Sequence, residues 1–209
     1  MAKQRISVHA ACLLVALSGA AARAQDDDVH HVKIYGGPAY VAPLDDSDVT
    51  LGTITDTVEE EDQVGWNFGI EGRFNKLVGL ELDYVNANQD VTFGGTTIGD
   101  TTFSPLTATL NFHLIPTKVV DLYVGPSYTY VNWGDIRVNS SGVSITGGPD
   151  IRTDSEHGWG ASLGLDIGLG KHFAICGGLK YLAVDLPTEV GVTTDVKPLV
   201  ARLNAAFRF

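Results

Sequence analysis

The sequence predicts an all-β fold in which eight antiparallel strands run up and down around a closed barrel. Two patterns carry this prediction. Eight segments alternate between apolar and polar residues with a period of two, and the connections between these segments are alternately short and long. Glycine is frequent, with 24 residues, and apolar patterns with helical spacing are hard to find. The sequence therefore favours strands throughout.

The eight predicted strands are bounded by turn residues or polar stretches. They span 31–43, 65–74, 77–87, 104–116, 120–133, 157–170, 172–185 and 197–209. Each has about ten residues or more, the length that a tilted strand needs to cross a bilayer. Short turns follow the second, fourth and sixth strands, at 75–76, 117–119 and 171, and long polar connections follow the others, near 44–64, 88–103, 134–156 and 186–196. This arrangement is typical of an eight-stranded antiparallel up-and-down transmembrane β-barrel.

The alternation gives each strand one apolar and one polar face. In the sixth strand, WGASLGLDIGL, the apolar face holds Trp159, Ala161, Leu163, Leu165, Ile167 and Leu169. The third strand places Glu81 and Asp83 on its polar face, and the fourth places His113 there. A barrel in lipid has an apolar outer face and a polar inner face. A soluble barrel or sandwich alternates in the same way with the faces exchanged. Alternation alone therefore does not distinguish a membrane barrel from a soluble fold.

The positions of aromatic residues favour the membrane alternative. If odd strands run outward, six aromatic residues fall toward the long-loop end, namely Tyr40, Trp66, Tyr84, Tyr128, Tyr130 and Trp159. Phenylalanines fall toward the short-turn end, namely Phe74, Phe112, Phe173, Phe207 and Phe209. Two aromatic rings that flank an aliphatic band are the interfacial girdles of a membrane barrel.

Charged residues on the polar faces predict a network inside the barrel. The expected lumen residues are Lys33, Glu71, Arg73, Glu81, Asp83, His113, Asp166, Lys180 and Arg202. Arg208 shares this face, and we expect both arginines of the last strand to meet carboxylates. Charges inside a narrow barrel must be paired or hydrated, because an isolated buried charge costs several kcal/mol.

The first 24 residues predict a secretory signal peptide. A basic start, MAKQR, precedes the apolar run ISVHAACLLVALSGAA and an Ala22-Arg23-Ala24 cleavage site. The mature chain would be residues 25–209, one barrel domain.

The mature chain keeps Cys176 as its single cysteine and therefore forms no intramolecular disulfide. Three of the 14 basic residues leave with the signal, and 11 basic against 25 acidic residues give the mature chain a net charge of −14. So acidic a chain is not expected to bind nucleic acid.

Five stretches of the mature chain resemble the OmpW family of bacterial outer-membrane proteins. They are KIYGGPAYVAPLDD (33–46), LVGLELDY (77–84), SPLTATLNFHLIP (104–116), DLYVGPSYTYVNW (121–133) and VKPLVARLNAAFRF (196–209). The resemblance implies an outer-membrane location, periplasmic termini and passive passage of small hydrophobic molecules. It also implies contact with outer-membrane lipid, lipopolysaccharide and the barrel-assembly machinery. The terminal Phe207 and Phe209 resemble the assembly signal of such barrels.

The resemblance leaves the ligand open, because the loops that would form the entrance align poorly. Apolar residues in otherwise polar loops are expected to line an apolar vestibule, namely Leu51, Ile54, Val58, Val143, Ile145 and Ile151. An alternative function is a non-conducting barrel that acts through its extracellular loops. The oligomeric state is left open.

Enzyme and cofactor motifs are weak in this sequence. Gly160, Ser162 and Gly164 match the G-x-S-x-G elbow of hydrolases, but they lie in an alternating strand and not on a strand-to-helix turn. A hydroxyl, histidine and acid group at 154–157 is conceivable for a lipid-modifying enzyme, although adjacent residues point in different directions. No phosphate-binding loop, CxxC or HExxH occurs, so no catalytic residue, metal or cofactor is predicted.

Overall fold

The computed structural model describes residues 30–44, 47–51, 54–60, 63–93, 96–134, 136–138, 150–151, 155–187 and 193–209. The predicted signal peptide lies outside these ranges. The described residues form thirteen strands, namely β1 (Val32–Pro43), β2 (Ser47–Leu51), β3 (Ile54–Glu60), β4 (Gln63–Arg73), β5 (Val78–Phe93), β6 (Thr96–His113), β7 (Val120–Trp133), β8 (Ile136–Val138), β9 (Asp150–Ile151), β10 (Glu156–Gly168), β11 (Phe173–Pro187), β12 (Thr193–Val196) and β13 (Pro198–Arg208). Within them, no helix is long and apolar enough to cross a membrane.

Eight of these strands close into a barrel. Strands β1, β4, β5, β6, β7, β10, β11 and β13 each pair antiparallel with the next, and β13 pairs with β1. The prediction of an eight-stranded up-and-down barrel is confirmed. The observed strands match the predicted segments to within a few residues at most ends.

The third connection differs from its prediction as a loop over 88–103. In the structure β5 continues to Phe93 and β6 begins at Thr96, and the two stay paired up to these residues. The stretch lacks apolar alternation, but ladder hydrogen bonds join main-chain groups and do not require apolar side chains. Short strands extend the sheet at the same end: β3 pairs with β5, β8 with β6 and β12 with β11.

The barrel closes at its chain ends. The Phe209 amide donates to the Val32 carbonyl at 2.9 Å, and the His31 amide donates to the Phe209 carbonyl at 2.9 Å. The last residue is therefore held by the first strand, although chain ends commonly fray. Both described ends lie at the end of the barrel that carries the short turns, hereafter the turn end; the opposite end is the loop end.

The strands are staggered around the barrel. Paired residues lead from Tyr35 through β4, β5, β6 and β7 to Gly158 on β10, and in the other direction through β13 and β11 to Gly168. The two end points on β10 are ten residues apart. This offset reflects the tilt of the strands, and it sets which residues share a level in the lumen.

Two inward tyrosines fit over glycines of the neighbouring strand. Tyr35 pairs with Gly69, and Tyr123 pairs with Gly164. A Cβ at either glycine would overlap the tyrosine ring. These glycines therefore make room for two rings in a lumen that is only wide enough for side chains.

We predict that Gly164→Ala lowers the free energy of unfolding by about 1–3 kcal/mol, because the added methyl group collides with the Tyr123 ring. Urea unfolding in detergent, followed by the mobility of unboiled protein on gels, measures the loss. Gly177→Ala is the matched control, since a Cβ there would meet only the Leu165 carbonyl oxygen at 4.0 Å. Equal stability of the two variants would contradict the tyrosine-over-glycine fit.

Candidate functional site: the barrel lumen

The lumen contains two groups of buried charges and a third, apolar group of side chains. All nine charged or titratable residues that the sequence assigns to the lumen are buried there. Five belong to a cluster near the turn end, and four belong to a second cluster in the middle of the barrel. Nearer the loop end the inward side chains become apolar.

The turn-end cluster is organised around Lys33 and Glu71. Lys33 Nζ lies 2.7 Å from Glu71 Oε2 and 2.9 Å from Asp166 Oδ2. Tyr123 donates its hydroxyl to Asp166 Oδ1 at 3.2 Å, and the Lys33 ammonium lies 4.6 Å from the centre of the Tyr123 ring. The lysine thus links strands on both sides of the lumen.

His113 joins the same cluster through both ring nitrogens. Its Nε2 lies 2.9 Å from Glu71 Oε1, and its Nδ1 lies 2.9 Å from Asp121 Oδ1. Both nitrogens can donate only when the imidazole is protonated. Arg73 pairs with the other oxygen of Asp121. With a protonated histidine the cluster holds three cations and three carboxylates.

The middle cluster consists of Glu81, Asp83, Lys180 and Arg202. Arg202 Nη1 lies 3.1 Å from Glu81 Oε1 and 3.1 Å from Asp83 Oδ2. Lys180 pairs with the same two carboxylates. Arg202 Nη1 also donates to the Tyr35 hydroxyl at 2.9 Å. Two cations face two carboxylates, so this cluster carries no net charge.

The apolar group, hereafter the apolar zone, fills the loop-end half of the lumen. Its members are at most 3% exposed and form one cluster, namely Ala39, Val41, Val85, Ala87, Phe103, Val131, Leu182, Val184 and Val200. They come from β1, β5, β6, β7, β11 and β13, so the zone encircles most of the lumen. Phe103 has the largest side chain of the zone and is fully buried.

The apolar zone is not among the predictions made from the sequence. The sequence predicts an apolar vestibule in the loops, yet Val143 and Ile145 lie outside the described residues. The side chains of Leu51, Ile54, Val58 and Ile151 do so as well, although their backbones are in β2, β3 and β9. That vestibule stays a prediction. The sequence does indicate that residues of the apolar zone face inward, because Ala39 and Val41 continue the inward alternation of Lys33 and Tyr35.

Sequence reasoning also missed Asp121, Tyr35 and Tyr123. The period-two pattern of β7 places Asp121 and Tyr123 on its inward face, so the signal was present. Arg208 differs from its expectation. It is buried, yet its Nε and Nη2 have no hydrogen-bond partner among the described residues, whereas Arg202 meets two carboxylates as expected.

The aromatic residues assigned to a girdle point outward near the loop end. Tyr40, Trp66, Tyr128 and Trp159 are 41–69% exposed. Trp66 contacts Tyr84 with ring centres 5.6 Å apart, and Tyr130 contacts His157 at 5.1 Å. At the turn end Phe207 lies between Phe173 and Phe209, at 5.1 and 4.8 Å. Their contact with a bilayer interface, and the role of Phe207 and Phe209 as an assembly signal, stay predictions.

The hydrolase-like motif has a structural role here. Ser162 lies within β10 and donates its hydroxyl to the Gly125 carbonyl at 3.4 Å. His157 Nδ1 lies 2.9 Å from the Tyr128 hydroxyl on the outward face, and Asp154 is outside the described residues. Ser162 points into the lumen and His157 points outward from the same strand, so these two residues do not form a catalytic group.

We predict that Lys33→Met lowers the free energy of unfolding by about 3–5 kcal/mol, because it leaves Glu71 and Asp166 buried without their cation. Urea unfolding in detergent measures this loss. Lys171→Met, an exposed lysine in a turn, serves as the control and should unfold like the wild type. A Lys33→Met protein as stable as the control would mean that the cluster contributes little to stability.

Comparison with known proteins identifies the family. The model of the outer membrane protein beta-barrel domain matches residues 10–209. In the comparison with curated proteins, none matches the chain. OprG from Pseudomonas aeruginosa superimposes with a TM-score of 0.72 at 19% identity, over 87% of this chain and 97% of that chain.

Two further solved structures share the fold. The outer membrane protein AlkL has a TM-score of 0.64 at 14% identity, over 89% of this chain and 94% of that chain. The Escherichia coli outer membrane protein W has a TM-score of 0.50 at 18% identity, over 88% of this chain and 100% of that chain. Because the family is one of outer-membrane barrels, the outward face of this barrel faces lipid. The chain belongs to the outer membrane protein β-barrel domain family, and its eight-stranded fold confirms the resemblance to OmpW that its strand sequences predict.

Proposed function

We propose that the protein lets small hydrophobic molecules cross the lipopolysaccharide leaflet of the outer membrane by passive diffusion. The observation that carries this proposal is the apolar zone. A lumen built only for stability could be filled mainly by paired charges, as it is near the turn end, yet nine apolar side chains from six strands line its loop-end half. An apolar constriction excludes water and ions but admits an apolar molecule when its side chains move aside.

The proposed orientation has the loops outside the cell and both termini in the periplasm. Short periplasmic turns and longer extracellular loops are the usual arrangement in such barrels. A molecule would then enter at the loop end and reach the apolar zone first.

A straight path through the barrel is disfavoured by the charged clusters. The side chains of the middle and turn-end clusters are buried and paired with one another. An apolar molecule that separated these pairs would leave charges without partners, at a cost of several kcal/mol. We therefore propose that molecules leave sideways, through the wall, into the membrane.

The wall has a weak point beside the apolar zone. Between β5 and β6 the ladder is paired at Tyr84 with Leu106 and again at Ala87 with Phe103, but not in between. Pro105 lies in the interruption and has no N–H to donate. On the lipid side, Asn86 Nδ2 donates to Ser104 Oγ at 2.9 Å, so a side-chain bond closes the gap. Interruptions also occur near Pro38 and Pro126, but only this one is flanked by Val85, Ala87 and Phe103 of the apolar zone.

The alternative function is a barrel that conducts nothing and acts through its loops. The tight packing of the apolar zone favours this alternative, because each of its side chains is at most 3% exposed. Solute entry separates the two functions. In vesicles that contain lipopolysaccharide, the protein should accelerate entry of a hydrophobic fluorescent dye. Equal rates with and without protein would leave only the alternative.

We predict that Phe103→Ala increases the protein-dependent rate of dye entry several-fold, because it removes the largest side chain of the apolar zone. The charged clusters remain, so conductance to small ions should not rise. Phe112→Ala is the matched control, since Phe112 lies on the same strand but is 41% exposed on the lipid face. An unchanged rate in Phe103→Ala would place the path elsewhere.

A second prediction concerns the exit. A disulfide between Asn86→Cys and Ser104→Cys should slow dye entry, and reduction should restore it, because the bond locks the interruption at Pro105. A disulfide between Tyr84→Cys and Leu106→Cys, where the ladder is continuous, provides the control. If both disulfides leave the rate unchanged while dye still enters, the exit does not lie between β5 and β6.

A further inference from the structure

The turn end of the barrel is rich in positive charge, although the whole chain has a net charge of −11. Each of the three short turns carries a lysine and no acidic residue; these lysines are Lys76, Lys118 and Lys171. The last inward residues of β4 and β13 are arginines, Arg73 and Arg208, and both are buried. A region with such an excess of cations attracts anions.

Arg208 has a buried edge that makes no hydrogen bond in the described part of the chain. The residue is 2% exposed, and its Nε and Nη2 atoms have no partner among the described residues, which include the terminal carboxylate of Phe209. The Nε–H and one N–H of Nη2 point the same way and form the fork that binds two oxygens of a carboxylate or phosphate side by side. The whole of this fork is therefore without an acceptor.

The Arg208 guanidinium reaches from β13 past β11 to β10. A Cβ on Gly168 of β10 would lie 2.6 Å from Arg208 Nη2 and would also collide with the Lys118 carbonyl. Ala174, the inward residue of β11 beside Gly168, has a small side chain. Small residues on two strands thus make room for the guanidinium at the turn that carries Lys118.

Histidines add to the nitrogen-bearing groups at this end. The Arg73 amide donates to the His31 carbonyl at 2.8 Å, and the His31 amide donates to the Phe209 carbonyl at 2.9 Å, so His31 lies between β4 and β13. Its Nδ1 is also buried without a partner among the described residues. The pKa of His30 is lowered, first by burial and then by the positive charges of its neighbours, namely Arg208, Arg73, His172 and Lys118. These side chains therefore surround one small region.

The carboxylates of the turn-end cluster already have cationic partners. Glu71, Asp121 and Asp166 each meet a lysine, arginine or histidine of that cluster. With a protonated His113 the cluster is neutral, so Arg208 brings a positive charge that these three carboxylates do not offset. A buried charge without a partner costs several kcal/mol, and a bound anion would remove this cost.

We propose that the turn end of the lumen binds a phosphate-type oxyanion, two of whose oxygens accept hydrogen bonds from Nε and Nη2 of Arg208. A phosphate carries more charge and more acceptor oxygens than a carboxylate, which suits a region with several cations. Lys118 and His172 add positive charge around the site. The site lies away from the proposed exit between β5 and β6, so the inference is independent of the passage function.

Titration calorimetry with inorganic phosphate tests the site in the mature chain, residues 25–209, in dodecyl maltoside, a detergent without phosphate or charge. We expect Arg208→Met to weaken phosphate binding at least about tenfold, because it removes two hydrogen bonds from a charged donor. Lys171→Met is the matched control. It removes one positive charge from an exposed turn at the same end, and screening should keep its effect below about twofold.

Arg208→Lys tests the fork and replaces Arg208→Met if that variant fails to fold, as judged by the mobility of unboiled protein. It keeps the positive charge but cannot present two parallel N–H groups, so it should bind phosphate more weakly than the wild type. Phosphate binding as tight in the folded Arg208 variants as in the wild type would overturn the inference.

The chain itself supplies a competing anion. Asp26, Asp27 and Asp28 lie two to four residues before His30 in the sequence, so the titration is repeated with all three replaced by Asn. Tighter phosphate binding by this triple variant would show that the aspartates compete for the site, and would support it. Absence of phosphate binding from both the wild type and the triple variant would refute the site.

The membrane distinguishes two sources of the phosphate. The titration is repeated in nanodiscs of phosphatidylcholine, whose heads carry phosphate but no net charge. If binding that depends on Arg208 in detergent disappears in the nanodiscs, the site takes the phosphate of a lipid head. If it persists there, the site takes a soluble phosphate compound. Either result supports an oxyanion site at Arg208.

Discussion

The closed ladder of main-chain hydrogen bonds is the constraint on which the rest of this structure depends. In hydrocarbon, an unpaired N–H or C=O has no water to bind, so a sheet that spans a membrane must return to its own first strand. Here β13 pairs with β1, and Phe209 bonds across that seam through both its amide and its carbonyl group. The number of strands in the closed sheet and their stagger together fix the width of the lumen.

A lumen of this width has to be filled by side chains, and the filling differs between its two halves. From the turn end to the middle of the barrel, tyrosines seated over glycines and two clusters of paired charges occupy the space. Toward the loop end, aliphatic side chains and Phe103 occupy it. The two fillings resist a solute differently. Separating an ion cluster exposes charges, whereas moving aliphatic side chains aside breaks only dispersion contacts.

Three prolines interrupt the hydrogen-bond ladder of the barrel wall. Pro38, Pro105 and Pro126 each coincide with an interruption in a ladder that is otherwise continuous. The main-chain ladders of the barrel wall are therefore interrupted at these three prolines. The interruption at Pro38 ends at one member of the apolar zone, Ala39, whereas the interruption at Pro105 is flanked by three, Val85, Ala87 and Phe103, and this difference links the composition of the wall to the proposed exit.

The sequence by itself determined the strands, their up-and-down order and the face on which each side chain lies, because the period of two is a local property of extended backbone. It therefore located Lys33, Glu71, Glu81, Lys180 and Arg202 inside the barrel before any contact was known. It could not determine which of them would meet, since partners such as Lys33 and Asp166 are 133 positions apart and come together only through closure and stagger. In the described part of the chain, the tertiary structure also leaves Nε and Nη2 of the buried Arg208 without a hydrogen-bond partner. For the same reason the apolar zone emerged only in three dimensions: each of its six strands contributes only one or two of the nine side chains, and these side chains meet only when the barrel closes.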